Sequence, residues 1–180
     1  MSDAKTALRA KMREIAETRG DAAALSRQLA SQLRDWPLWQ SSGNIAAFSA
    51  IAGEPDALDP WPVDKRVALP RVAGEELMFH WVAGRDKLLT GKFGIREPSP
   101  DATPAGNGFD LILVPGLAFD LRGGRLGRGK GFYDGFLSGA RGIRAGVCFE
   151  DQIADEVALE PHDQRMAFLV TPSAIFRCGS

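Results

Sequence analysis

The chain has 180 residues, 44% hydrophobic and 25% charged, the proportions of an ordinary globular domain long enough to bury a sizeable core. Its 22 basic and 23 acidic residues give a net charge of −1, so no basic excess points to a nucleic-acid surface, and any cationic site must be local. No apolar run approaches the roughly 20 residues that a membrane span requires.

Ser2–Thr18 reads as a helix. Leu8, Met12 and Ile15 recur at helical spacing as a buried stripe, and Lys5, Arg9 and Arg13 form a basic ridge at i, i+4, i+8 beside it. Most such ridges are solvated faces. Met1–Ile15 has no apolar h-region, and Asp3 and Glu14 argue against a mitochondrial leader, so the expected compartment is the cytoplasm. A second helix is predicted from Asp21, a good N-cap residue, with Leu25, Leu29, Leu33 and Trp36 on its apolar face and Pro37 ending it.

Asn44–Phe48 reads as a short buried strand. Ligands of open α/β sheets gather beyond strand carboxyl ends, which makes Glu54 a site candidate, although loop glutamates more commonly face solvent. Val67–Leu69 is a second predicted strand, ending in Pro70-Arg71, and Leu77–Val82 a third. Leu88–Pro98 suggests a shaped loop, and Ser99–Gly108, rich in Pro, Ala and Gly, a loose surface connection. Asp110–Val114 is the most strand-like run, expected to be central and buried on both faces. Pro115–Gly124 reads as a hairpin-like excursion. Gly131–Leu137 reads as a helix, with Phe132/Phe136 and Tyr133/Leu137 at i,i+4. Arg144–Phe149 is a further strand, Asp151–Val157 a short helix or turn, and Ala167–Val170 the last strand. Two helices followed by strands mixed with short helices imply one layered α/β domain.

Chemistry concentrates in Arg125-Leu126-Gly127-Arg128-Gly129-Lys130-Gly131-Phe132-Tyr133-Asp134. Alternating glycines let the backbone approach a ligand with no Cβ in the way, and successive amides in such a loop can form an anion-binding concavity. Arg125, Arg128 and Lys130 add fixed positive charge, and a helix starting just after them would strengthen an anion site. The alternative is a glycine-rich surface turn with solvated charges. Gly124–Lys130 fits G-x-x-x-x-G-K, but it is not a Walker A loop. Gly131 stands where the magnesium-binding Ser or Thr belongs, and nine residues, Pro115–Gly123, separate the motif from the preceding strand. Cys148 and Cys178 lack metal spacing and read as free thiols. His80 and His162 lie far apart, and His80 reads as a packed residue.

These residues carry a family likeness: the chain resembles the 5-formyltetrahydrofolate cyclo-ligases, also called 5,10-methenyltetrahydrofolate synthetases. The likeness rests mainly on Pro115–Asp120 and Arg125–Asp134. Lys5 and Arg9, Gly53-Glu54, Leu69-Pro70-Arg71, Phe93–Pro98 and Pro161–Pro172 support it in the expected order. It implies a three-layer α/β/α sandwich with a mixed, mostly parallel sheet, and conversion of 5-formyltetrahydrofolate to 5,10-methenyltetrahydrofolate with ATP and Mg2+. Carried over, it implies that Lys5, Arg9 and the run Arg125, Leu126, Gly127, Arg128, Gly129, Lys130, Gly131, Phe132 and Tyr133 hold ATP. Arg128, Lys130 and Tyr133 would be catalytic. Ser49, Glu54, Phe93, Ile95 and Phe132 would contact the folate, and Asp134 and Asp163 the metal. The implied partners are a reduced folate and ATP, with no nucleic acid or membrane, for a monomer.

Three departures from the family pattern stand out. Phe132 replaces a frequent tyrosine, Ala167 an aspartate, and the stretch from Glu54 to Pro70 is shorter by about one helical turn. Two other readings remain open: a folate- or nucleotide-binding paralogue without this activity, and a sugar-phosphate isomerase or CoA-transferase-like enzyme on a similar sandwich.

Overall fold

The computed structural model describes residues 3–91, 94–161 and 163–179. The chain runs through α1 (Asp3–Thr18), α2 (Ala22–Asp35), α3 (Pro37–Ser41), β1 (Asn44–Ala46), β2 (Arg66–Ala73), β3 (Glu76–Val82), β4 (Leu89–Thr90) and β5 (Arg96–Glu97). It continues through β6 (Gly108–Val114), β7 (Ala118–Phe119), β8 (Arg125–Leu126), α4 (Phe132–Gly139), β9 (Arg141–Val147), β10 (Phe168–Val170) and β11 (Ile175–Arg177). Asp21 caps α2 as expected, its carboxylate accepting from the Ala24 amide. Pro37 both ends α2 and opens α3, where its missing N–H costs nothing. No helix lies between Ser42 and Arg66, in keeping with the shortened stretch there.

Seven strands form one sheet in the order β11-β10-β9-β6-β1-β2-β3. The inner five are parallel, and the β2–β3 and β10–β11 pairs at the two edges are antiparallel. β6 is the central strand, and its residues alternate between two cores. Leu111 and Leu113 join Leu29, Leu33 and Trp39 beneath α2 and α3. Ile112 and Val114 join Leu137 beneath α4. Both faces are therefore covered, as in most parallel sheets, and the architecture is a three-layer α/β/α sandwich. α1 lies apart from these two layers, with Met12 packed on Leu117, Ala118 and Leu126 of the β7–β8 hairpin.

Several boundaries differ from expectation. β2 does not stop at Pro70 but continues to Ala73, paired with β3 through a turn at Gly74, whose φ is 63°. Beyond Ala68, β2 has lost β1 as a neighbour, so a residue without an N–H is tolerated there. Leu88–Pro98 contains the small β4–β5 hairpin. Ser99–Gly108 is not a loose connection. The Trp81 amide donates to Thr103, the Ala105 amide donates to Phe79, and Pro104 bridges His80, so this segment lies along the outer edge of β3. β11, only three residues long, has no sequence signal of its own.

Phe119 is fully buried between the hairpin and the sheet. A Cβ on Gly116 or Gly146 would collide with its ring. Those two glycines make room for a side chain whose burial contributes roughly 1.5–3 kcal/mol.

Candidate active site

The chain leaves β1 for β2 on one side and later returns to place β6 on the other. The carboxyl ends of β1 and β6 thus flank a topological switch, where open α/β sheets form their ligand crevice. A cavity of about 380 Å³ opens there. Phe48 and Ser49 follow β1, and Pro115 and Gly116 follow β6; all four line it. Pro70 and Val72 of β2, Leu77 of β3 and Ile95 add an apolar wall.

The opposite wall is the glycine loop, and its approach is built with care. Asp120, 2% exposed, closes the β7–β8 turn. Its Oδ1 accepts from the Arg122 and Gly124 amides at 2.9 and 2.8 Å, and its Oδ2 from the Val157 amide at 2.7 Å. The turn delivers Arg125 onto β8, where its guanidinium donates to the Pro115 carbonyl at 3.2 Å and to Asp134 at 2.7 Å. The same group lies 5.7 Å from the centre of the Tyr133 ring. Gly129 and Gly131 then take φ of 93° and 72°, the left-handed region that favours glycine. α4 begins at Phe132 with no side-chain cap, leaving its first amides for water or a ligand.

The expected residues converge unequally. Ser49, Glu54, Ile95, Arg125 and the residues from Gly127 to Asp134 line the cavity. Lys130 is exposed, with no hydrogen bond or ion pair to any described residue. Leu126 faces away, 1% exposed in the core under α1. Arg9 supports the loop from behind: its Nε donates to the Gly127 carbonyl at 3.0 Å, while its Nη1 is buried without a hydrogen-bond partner among the described residues. Phe93 lies outside the described residues.

Lys5 is buried, donating to Asp163 at 2.7 Å and to Glu160 at 3.0 Å. Burial opposes its charge, but those two carboxylates outweigh it and hold the ammonium above the usual lysine range. Asp163 also accepts the Glu160 amide at 2.7 Å, so it is engaged in this corner rather than beside Asp134 on the cavity wall. Among the described residues no group of three or more His, Cys, Asp or Glu side chains could hold a metal alone. Ala167 is exposed, its amide on the Arg144 carbonyl.

Glu54 comes from a corner at Gly53, whose φ is 87°. Burial in the cavity pushes its carboxyl above the ordinary range, against the pull of Arg128 and the Ile51 amide. The corner is fastened from outside. Arg19 stacks 4.2 Å over the Phe149 ring, donates to both oxygens of Asp151 at 2.8 and 2.7 Å, and reaches the Gly53 carbonyl at 3.2 Å. Burial, with the Glu54 charge, drives the Tyr133 phenol far above its ordinary value, so it can only donate or accept hydrogen bonds.

Sequence reasoning missed four supports. Asp120 was visible only as part of the family likeness. Arg19 sat unremarked at a helix end. Gln152 donates to the Gly116 and Leu117 carbonyls at 3.0 and 3.2 Å. Glu97, 3% exposed, also lines the cavity. The contacts that tie Asp120, Arg19 and Gln152 to the site cross more than 30 residues of chain, and Glu97 faces Arg71 of β2, so no local pattern announces them.

Three of the four buried polar atoms left without a hydrogen bond among the described residues belong here: Arg9 Nη1, Arg125 Nε and Ser49 Oγ. Native interiors rarely leave such groups unmet, so each is suited to meet a polar ligand or water.

Fold and site together define an α/β protein with a cleft at the switch point, apolar on one wall and cationic and glycine-rich on the other. Residues 1–172 match the model of the 5-formyltetrahydrofolate cyclo-ligase family. The chain belongs to that family and is an enzyme. It is 38% identical over 158 residues to the 5-formyltetrahydrofolate cyclo-ligase of Mycolicibacterium smegmatis, covering 79% of this chain and 81% of that one. It is 27% identical over 165 residues to that of Escherichia coli K12, covering 84% and 90%. Its fold matches the 5,10-methenyltetrahydrofolate synthetase of Aquifex aeolicus with a TM-score of 0.88 at 32% identity, over 98% of this chain and 93% of that one.

Proposed function

We propose that the enzyme closes 5-formyltetrahydrofolate to 5,10-methenyltetrahydrofolate at the expense of ATP. The observation that carries this reading is the two-sided cleft: an apolar wall suited to a flat ring system directly faces a cationic loop and a free helix N-terminus. A formyl amide oxygen is a poor leaving group. It attacks the γ-phosphorus of ATP, the bond to the β-phosphate oxygen breaks, and ADP leaves. N10 then attacks the activated formyl carbon, loses its proton, and the C–O bond breaks to release phosphate.

The enzyme's part is placement and charge. Arg125, Arg128 and Lys130, with the loop amides, neutralise the phosphoryl oxygens, and Arg9 holds the loop in shape through Gly127. Alignment of bound groups can supply effective molarities of about 10⁵–10⁸ M. Ser49, Ile95 and Phe132 bound the folate side. Tyr133 stays neutral and serves as a hydrogen-bonding wall rather than a base.

Mg2+ fits this site as a companion of the phosphates, since it commonly takes only one or two protein carboxylates. Asp134, at the start of α4 beside Arg125, is the residue suited to hold it. The ion would add charge neutralisation at the phosphates. Asp163 acts through Lys5, anchoring α1 behind the loop. We further propose a cytoplasmic monomer.

The test is absorbance at the methenyl-folate band with purified protein, 5-formyltetrahydrofolate, ATP and magnesium. Product that requires ATP and appears with stoichiometric ADP supports the reading. Product without ATP overturns the phosphorylation route. Tight folate or nucleotide binding with no product favours a non-catalytic paralogue.

A further inference from the structure

We propose that Glu97 is a specificity-determining residue, its carboxylate receiving the paired N–H donors of the substrate's 2-amino-4-oxopyrimidine ring. The inference rests on the folate reading above and adds the group that would recognise the head of that substrate.

Glu97 ends the short strand β5, is 3% exposed, and lines the cavity. No described residue donates a hydrogen bond to its side chain. Among the described residues its nearest cation, Arg71, stands 3.7 Å away, too far for a hydrogen bond, and Arg71 Nη1 already donates to the Pro98 carbonyl at 3.0 Å. Neither Glu97 oxygen is among the sealed, unpaired polar atoms, so the carboxylate keeps contact with the cavity, and a ligand that displaces solvent there must supply donors of its own.

Among the described residues two other carboxylates line the cavity, Asp134 and Glu54, and both are already engaged. Asp134 accepts from Arg125 at 2.7 Å. Glu54 Oε1 accepts both Arg128 bonds, and its Oε2 accepts the Ile51 amide. Gly91 leaves room for the Glu97 carboxylate, because a Cβ there would overlap it. The position is therefore built into the β4–β5 hairpin.

A reduced folate offers one adjacent pair of N–H donors matched to a carboxylate, the 2-amino group and N3–H. Both lie on the pyrimidine ring, whereas the formyl-bearing N5 lies on the other ring. Glu97 shares its side of the cavity with Pro70, Val72, Leu77 and Ile95. Seating the pyrimidine edge there directs the second ring toward Arg128 and Lys130. A carboxylate that must be met by donors also rejects analogues lacking them, often by large factors.

The experiment uses the full chain in two arms. In the first, the Glu97→Gln enzyme shows a KM for 5-formyltetrahydrofolate raised at least about tenfold, a typical loss for one buried charged hydrogen bond, while its KM for ATP changes little. A folate KM unchanged within about twofold, or both KM values rising together, overturns the assignment. In the second arm, wild-type protein binds pterin more tightly than lumazine, which has a second oxo group in place of the 2-amino group. Equal affinities overturn the assignment without recourse to any variant. If wild-type enzyme forms no methenyl product, the proposed reaction fails, and the pterin–lumazine comparison still decides the role of Glu97.

Discussion

Arg128 donates from both Nε and Nη2 to a single oxygen of Glu54, at 3.3 and 3.1 Å, across 74 residues of chain. The pair joins the loop proposed to hold phosphates to the corner proposed to hold folate. Glu54 is nearly enclosed, its side chain 9% exposed, while that of Arg128 is 47% exposed. The arginine therefore reaches solvent from the pair, and the glutamate scarcely does.

Arg128→Ala is expected to lower turnover by about 10²-fold, the usual loss for one preorganised transition-state donor, and to raise the KM for ATP. Lys130→Ala acts in the same direction. Steady-state kinetics check this, and unchanged parameters in both variants would remove the loop from the mechanism.

Glu54 carries a pH signature. Its folded-state pKa lies above the unfolded value, chiefly through burial. The native state thus binds the proton more tightly, and this contribution to stability is full below the unfolded pKa and lost as pH rises through the folded one. Glu54→Gln abolishes that dependence. The melting temperature of wild type minus that of Glu54→Gln should increase as the buffer is taken from neutral pH toward pH ~4.5. A difference that stays flat or falls would contradict the burial account. In activity, the same variant should affect folate affinity more than ATP affinity.

Asp134→Asn keeps shape but removes the charge facing Arg125 and the proposed ion. The magnesium concentration for half-maximal activity should rise about 10-fold or more, as for loss of one charge-assisted contact. Activity titrated against total magnesium at fixed ATP measures it, and an unshifted midpoint would place the ion elsewhere.

Gly146→Ala should destabilise the fold by about 1–3 kcal/mol through overpacking. Its Cβ would meet the Phe119 ring at 2.5 Å and Leu169 at 2.8 Å. Denaturant unfolding checks the loss, and adding Phe119→Leu should make the alanine less costly than it is alone. Strictly additive effects would mean that the ring is not the obstacle.

The layered fold was legible because its signals are local. Leu111 to Val114 is apolar without alternation, as a strand buried on two faces must be, and Asp21 and Pro37 punctuate α2 by backbone chemistry alone. The loop was legible because glycines alternating with cations have few other uses. Glu97 and Arg19 were not, since their roles depend on residues brought near only by the sheet. Pro70 misled in the other direction. As a strand breaker it implied an end to β2, but that side of the strand had already lost its neighbour.

The segment running along the outer margin of β3 bears on how these molecules meet one another. An open margin invites a strand from another chain. Here Thr103 and Ala105 already take part in that pairing, and Pro104 between them has no amide to offer a newcomer. At crowded concentrations strand pairing from this side is closed off, which leaves the margin of the three-residue β11 as the other end of the seven-stranded sheet from which self-association through strands could start.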